Sequence, residues 1–160
     1  MIKRVKELDS DAFIASQKFR DYVERQETEI NRGISSLCIL SIIIDAENKQ
    51  DAENKELHGY NILKQLEKKT RKMLVIEEGT LYPILRKLES DGIIESIKEE
   101  TGRKRKYYYI TEHGKNVFNH LAGFYSKLTE AIAPLFDVDV ELKQDRYLFC
   151  PMCANKIERK

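Results

Sequence analysis

The stretch "EEGTLYPILRKLESDGII", residues 77–94, decides how the rest of the chain is read. Leu81, Ile84, Leu85 and Leu88 fall at i, i+3, i+4 and i+7, which is one face of an α-helix. The spacing predicts a helix over 78–90, with Gly92 as its stop. Pro83 removes one backbone N–H, at partial cost because it lies near the N-terminal end. Thr80, Tyr82, Arg86, Lys87 and Ser90 are left on the other side. A clean apolar face backed by hydroxyls and cations belongs either to a solvated helix or to one that touches a polar partner.

Upstream, "LHGYNILKQLEKK" (57–69) places Leu57, Tyr60, Leu63 and Leu66 three residues apart, a second amphipathic helix. Residues 32–46 are apolar almost all round and predict a central core helix. Its greasy run "LCILSIII" (37–44) is far short of the roughly 20 residues that span a bilayer. Residues 10–30 predict a further helix with a narrow apolar stripe, capped by Ser10 or Asp11. Between these, "DAENKQDAENKE" (45–56) carries DAENK twice and has no apolar face beyond alanine. It reads as a solvated loop or frayed helical extension without chemistry of its own.

Downstream, "IIESIK" (93–98) and "KYYYIT" (106–111) predict a β-hairpin turning at Gly102, with the basic tip Arg103, Lys104, Arg105, Lys106. Alternation aims Tyr107 and Tyr109 one way and Tyr108 the other. Thr111 suits the cap of a long final helix, about 112–133. There Val117, Leu121, Phe124, Leu128, Ala131 and Leu135 alternate in steps of four and three, the pattern of a coiled-coil seam. Pro134 ends or kinks it.

The fold class expected is therefore mainly α with a small β-hairpin. Helix, helix, helix and basic-tipped hairpin in that order make a winged helix-turn-helix, whose third helix enters the DNA major groove. The chain divides into an N-terminal helical extension (1–31), the winged helix-turn-helix (32–111), a dimerisation helix (112–136) and a C-terminal tail (137–160).

Charge supports that placement. The 160 residues carry a net charge of only +1, so any nucleic-acid affinity must come from how charge is distributed. Residues 57–120 hold 13 Lys and Arg against 9 Asp and Glu, which leaves the remainder acidic. A basic hairpin tip beside three tyrosines suits phosphate contacts, each sequence-independent and salt-sensitive. No basic start, apolar middle and small-residue cleavage site precedes the first helix, so a soluble cytoplasmic protein with no membrane partner is expected. No Gly-rich phosphate loop, carboxylate–histidine cluster or nucleophile–base pair argues for an enzyme.

The segments "LHGYNIL", "EEGTLYPILRKLESDGIIES" and "GRKRKYYYITEHGK" resemble the signature of PadR-like transcriptional regulators, over about residues 32–130. The resemblance implies a homodimer whose long C-terminal helix packs against its mate, with two recognition helices presented to a pseudo-palindromic operator. The seam residues Val117, Leu121, Phe124, Leu128 and Leu135 suit that dimerisation. Matched by position, Thr80, Tyr82, Pro83 and Arg86 fall in the recognition helix, His58 and Tyr60 in the preceding HGY, and Arg103 to Lys106 in the wing. Arg86 is the candidate reader of guanine, since its fork can bond O6 and N7 together; an ion pair with Glu89 or Glu78 is the competing role. Tyr82 suits a phosphate or base-edge contact, with packing as the competing role, Lys87 a phosphate or plain solvation, and Tyr60 a phosphate or closure of the core. His58 reads as packing. A small-molecule effector is a further candidate partner, with Phe118, Phe124, Tyr125 and Phe136 as its lining, ordinary dimer packing being the competing reading. The doubled DAENK lengthens a connection usually short in such proteins, and residues 1–30 precede their usual start.

The tail "YLFCPMCANKIE" presents Cys150 and Cys153 as CxxC, half of a four-ligand zinc site. Cys38, in the buried helix, is poorly placed to complete it. Two tails of a dimer would supply four thiolates. A disulfide, completion by His113 or His120, and a free thiol pair stay open. Besides the DNA-binding repressor, two alternatives remain: a thiol- or zinc-dependent redox or metal sensor working through the tail, and a winged-helix protein-interaction module.

Overall fold

Leu81 and Leu85 of the opening stretch are almost wholly buried, and the rest of the fold is arranged around them. The computed structural model describes residues 17–48, 57–100, 102, 104–137, 147–149 and 156–158. The order is α1 (Gln17–Asn48), α2 (Gly59–Lys69), α3 (Glu78–Ser90), β1 (Ile94–Lys98), β2 (Lys106–Ile110), α4 (Glu112–Ile132), a 3-10 turn (Ala133–Phe136), β3 (Tyr147–Phe149) and β4 (Lys156–Glu158). This is the mainly helical winged-helix architecture expected. Among the described residues no helix is long and apolar enough to cross a membrane.

One core joins Ile39, Leu40, Ile42 and Ile43 of α1 to Ile62 and Leu66 of α2, Leu81 and Leu85 of α3, and Ile94, Tyr108 and Ile110 of the hairpin. Each such aliphatic side chain contributes about 1.5–3 kcal/mol on burial. α3 has the predicted bounds and stops as predicted. Gly92 takes φ +70°. Ile93 N–H then reaches the Leu88 carbonyl (2.9 Å) and Gly92 N–H the Glu89 carbonyl (3.1 Å), the two bonds of a Schellman ending.

Two helices were expected upstream, over 10–30 and 32–46, but one continuous helix spans Gln17–Asn48. No proline interrupts it, and a Cβ at Gly33 would meet nothing within 4 Å, so Gly33 costs only its helix propensity. α1 thus runs across the 31/32 boundary, while Ser10 and Asp11 lie outside the described residues. The first DAENK copy also behaves differently from the solvated segment expected. Ala46 is buried, Asp45 pairs with Lys69, and a Glu47 carboxylate oxygen accepts the Ile110 N–H at 2.9 Å. The second copy (51–55) lies outside the described residues.

The reason for Glu47 lies in the sheet. β1 and β2 pair antiparallel, Ile94 opposite Ile110 and Lys98 opposite Lys106. On the far side of β2, Tyr108 N–H donates to the Leu57 carbonyl (3.0 Å), and His58 bridges Tyr107. Leu57 is therefore extended, and α2 starts at Gly59 instead of Leu57 as the periodicity suggested. Tyr108 and Ile110 present their N–H groups to the same edge. Leu57 takes the first and Glu47 the second, so neither is left unbonded.

α4 begins as predicted: Thr111 Oγ accepts the Gly114 N–H (2.9 Å) and donates to the Gly92 carbonyl (2.8 Å). Val117 and Phe118 pack on the core. Further along, Leu121, Phe124 and Leu128 are exposed, as are Leu135 and Phe136 beyond the helix end. β3 and β4 form a separate antiparallel pair, with Phe149 opposite Lys156.

Candidate nucleic-acid interface

Three elements meet where the HGY segment, the outer side of α3 and the base of the hairpin converge. His58, Gly59 and Tyr60 come from the start of α2, Tyr82 and Arg86 from α3, and Lys104, Arg105, Lys106 and Tyr108 from the hairpin. Together they line an open groove of about 430 Å³.

Gly59 makes the approach of α2 to α3 possible. A Cβ on Gly59 would lie 2.8 Å from the Tyr82 hydroxyl and 3.0 Å from its ring, so the phenol occupies the space a side chain would fill. Tyr82 lies against Gly59 at the groove while remaining 40% exposed. Sequence reasoning treated Gly59 as part of a motif and missed this role. Its signal was a small residue between two aromatic ones at a helix start.

Glu89 ties the hairpin to α3. Lys106 Nζ lies 2.7 Å from Glu89 Oε2, and the Ser96 hydroxyl donates to Oε1. These hydrogen bonds, Lys106 first and Ser96 second, hold the Glu89 carboxyl below the usual glutamate range. The Lys106 ammonium also sits 5.6 Å from the centre of the Tyr108 ring. Lys106 therefore faces Glu89, whereas the sequence placed it with the outward wing cations. Glu89 being so occupied, Arg86 has no ion-pair partner among the described residues, and neither the Glu89 nor the Glu78 pairing forms. Its guanidinium is left to the groove.

Arg105 stands near His58, whose imidazole is held below its ordinary range first by burial and second by that positive charge. The His58 ring lies 6.4 Å from Tyr60 and 6.3 Å from Tyr107, packed between aromatics. Burial pushes the Tyr108 phenol up, so it stays protonated. The groove thus offers Arg86, Lys104 and Arg105 as cations, with the hydroxyls of Tyr60 and Tyr82 beside them.

The remaining candidates fall elsewhere. Lys87 pairs with Asp91 at 3.5 Å in a well-exposed contact of small energetic weight. Pro83 is exposed on α3. Thr80 lines a different cleft, of about 280 Å³, against Glu24, Thr28 and Arg32 of α1. Arg103, Cys150 and Cys153 lie outside the described residues. Cys38 packs against the core with its thiol pushed up by burial.

The sequence profile of the transcriptional regulator PadR-like family matches residues 51–120. An uncharacterized protein of Lysinibacillus sphaericus is 31% identical over 107 residues, which are 66% of this chain and 90% of that one. A transcriptional regulator from Clostridium thermocellum has a similar structure, with a TM-score of 0.56 at 30% identity, covering 65% of this chain and 94% of its own. A PadR family transcriptional regulator from Eggerthella lenta gives a TM-score of 0.63 at 27% identity, over 78% of this chain and all of its own.

Proposed function

The chain belongs to the PadR-like family of transcriptional regulators, and on that premise we propose that it is a homodimeric repressor that binds double-stranded DNA sequence-specifically. α3 enters the major groove and the basic hairpin lies on the backbone. The observation that carries this reading is Arg86, which lines the groove with Tyr82 and has no ion-pair partner among the described residues, Glu89 being taken by Lys106. Arg86 reads a guanine through O6 and N7. Lys104 and Arg105, with Arg103, neutralise phosphates, and Tyr60 and Tyr82 donate hydroxyl hydrogens to phosphate oxygens or base edges. Thr80, Pro83 and Lys87 lie outside that groove and carry at most secondary contacts in this reading.

The homodimer is supported by α4, where Leu121, Phe124 and Leu128 form an exposed apolar row continued by Leu135. Val117 begins the row but packs on its own core. Phe124, Tyr125 and Phe136 share that exposed surface and are read as dimer packing; an effector lodged between the subunits would meet the same three rings.

Selection of bound duplexes from a random pool tests the reading. Wild type enriches a two-fold symmetric site, and Arg86→Ala relaxes preference for one guanine per half-site by about 1–3 kcal/mol. Absence of any enriched sequence would overturn sequence-specific binding.

The tail supports a second role, zinc binding through Cys150 and Cys153. Pairing of β3 with β4 holds Phe149 opposite Lys156, the two residues that bound the cysteine-bearing segment. Two tails of a dimer would then supply four thiolates in a structural or redox-sensitive lock. Elemental analysis of the purified dimer, expecting one zinc per two chains and none after Cys150→Ser, tests it.

A further inference from the structure

The segment 64–72, KQLEKKTRK, holds five basic residues and a single acidic one. Lys69 is engaged by Asp45. The other four, Lys64, Lys68, Arg71 and Lys72, surround a cleft of about 500 Å³ with Glu67 and have no ion-pair partner among the described residues. Lys64 and Lys68 stand four residues apart on α2, where like charges repel.

The backbone adds a second cost. Arg71 and Lys72 take φ of +50° and +64°, a region that glycine or asparagine would occupy more cheaply. The turn is nonetheless firmly held. Thr70 Oγ donates to the Leu66 carbonyl (2.8 Å) and accepts the Leu74 N–H (3.2 Å), while Lys72 N–H donates to the Glu67 carbonyl (2.8 Å). Strained, over-determined backbone bearing unpaired charge is a mark of a binding surface. The helix dipole accounts for Lys68 and Lys69 in the last turn of α2, but not for Lys64, Arg71 or Lys72.

Position supplies the occupant. Tyr60, on the rim of the groove, is four residues before Lys64, so the two share a side of α2. The cationic stripe therefore leads away from the groove along α2. We propose that Lys64, Lys68, Arg71 and Lys72 hold the sugar–phosphate backbone of duplex flanking the segment that α3 enters, lengthening the footprint. This rests on the reading of α3 and the hairpin as a DNA-binding surface.

The test measures the salt dependence of binding to mixed-sequence duplexes of about 20 base pairs, room for two half-sites one turn apart, and of roughly twice that length. Wild type is compared with a variant carrying Lys64→Gln, Lys68→Gln, Arg71→Gln and Lys72→Gln. A second variant, Lys64→Gln with Lys68→Gln, leaves the strained turn untouched. On the long duplex the log–log slope falls by about 0.9 for each contact removed, while the short duplex shows wild-type behaviour. An unchanged slope on the long duplex, or equal loss on both lengths, overturns the inference. If wild type binds neither duplex, the DNA-binding reading falls with it. If hairpin substitutions weaken binding and the α2 substitutions do not, the inference alone falls.

Discussion

Lys106 Nζ on β2 lies 2.7 Å from Glu89 Oε2 on α3, and through that pair the hairpin and α3 are positioned as one unit. Both side chains are about one-third exposed, so the pair and its Ser96 bond together stabilise the fold by about 1 kcal/mol. Glu89→Gln is expected to lower urea stability by that amount and, by loosening the hairpin from α3, to weaken DNA binding. Because folding depresses the Glu89 pKa, its contribution is fully present above the ordinary glutamate range and is lost as pH falls through the lower, folded value. The stability difference between wild type and Glu89→Gln should therefore be flat near neutrality and shrink on acidification below about pH 4.3. A difference that instead grows on acidification would contradict the arrangement.

Gly59 and Tyr82 make a second coupled pair. Gly59→Ala displaces the Tyr82 ring, whose exposed far end can swing aside, so the change in stability is expected to be under about 1 kcal/mol. DNA affinity should drop as far as it does in Tyr82→Ala, and adding Gly59→Ala to Tyr82→Ala should cost nothing further. Additive losses in binding would show that Gly59 acts by another route.

Gly114 is the opposite case, because its neighbour is rigid. A Cβ there would run into the Ile93 carbonyl oxygen and lie 2.9 Å from Ile110 Cγ1, at the joint between α4 and the hairpin. Gly114→Ala is expected to destabilise by about 2–3 kcal/mol, read from the urea midpoint, despite alanine's better helix propensity. A neutral or stabilised variant would mean that α4 is not seated on Ile93.

These contacts show where sequence patterns stop. The apolar spacing of Leu81, Ile84, Leu85 and Leu88 was sufficient for α3, and Gly92 and Thr111 were legible as a helix stop and cap because those roles are local. Leu57 was misplaced into a helix because its carbonyl is taken by Tyr108, fifty-one positions on in the chain. Glu47 looked like solvated charge because its partner, the Ile110 N–H, is equally remote. Arg86, Tyr82, Lys104 and Arg105, singled out from residue type and order, line one groove. The Glu89 clamp that frees Arg86, and the Gly59 notch that seats Tyr82, depend on pairings no local pattern encodes.

The exposed row on α4 predicts assembly. Wild type is expected to sediment as a dimer at micromolar concentration, and Leu121→Glu with Leu128→Glu as a monomer of unchanged helicity, since both side chains are already more than 40% exposed in the single chain. A monomeric wild type would contradict the two-fold arrangement of recognition helices.

The most direct measurement is binding of the protein to duplex DNA across a salt series, wild type beside a variant with Arg103, Lys104 and Arg105 replaced by alanine and Lys106 kept on Glu89. Wild type is expected to bind with steep salt dependence and the variant with a shallower slope, by about 0.9 for each phosphate contact removed. No binding by wild type at low salt, or an identical slope for both proteins, would contradict the DNA-binding reading.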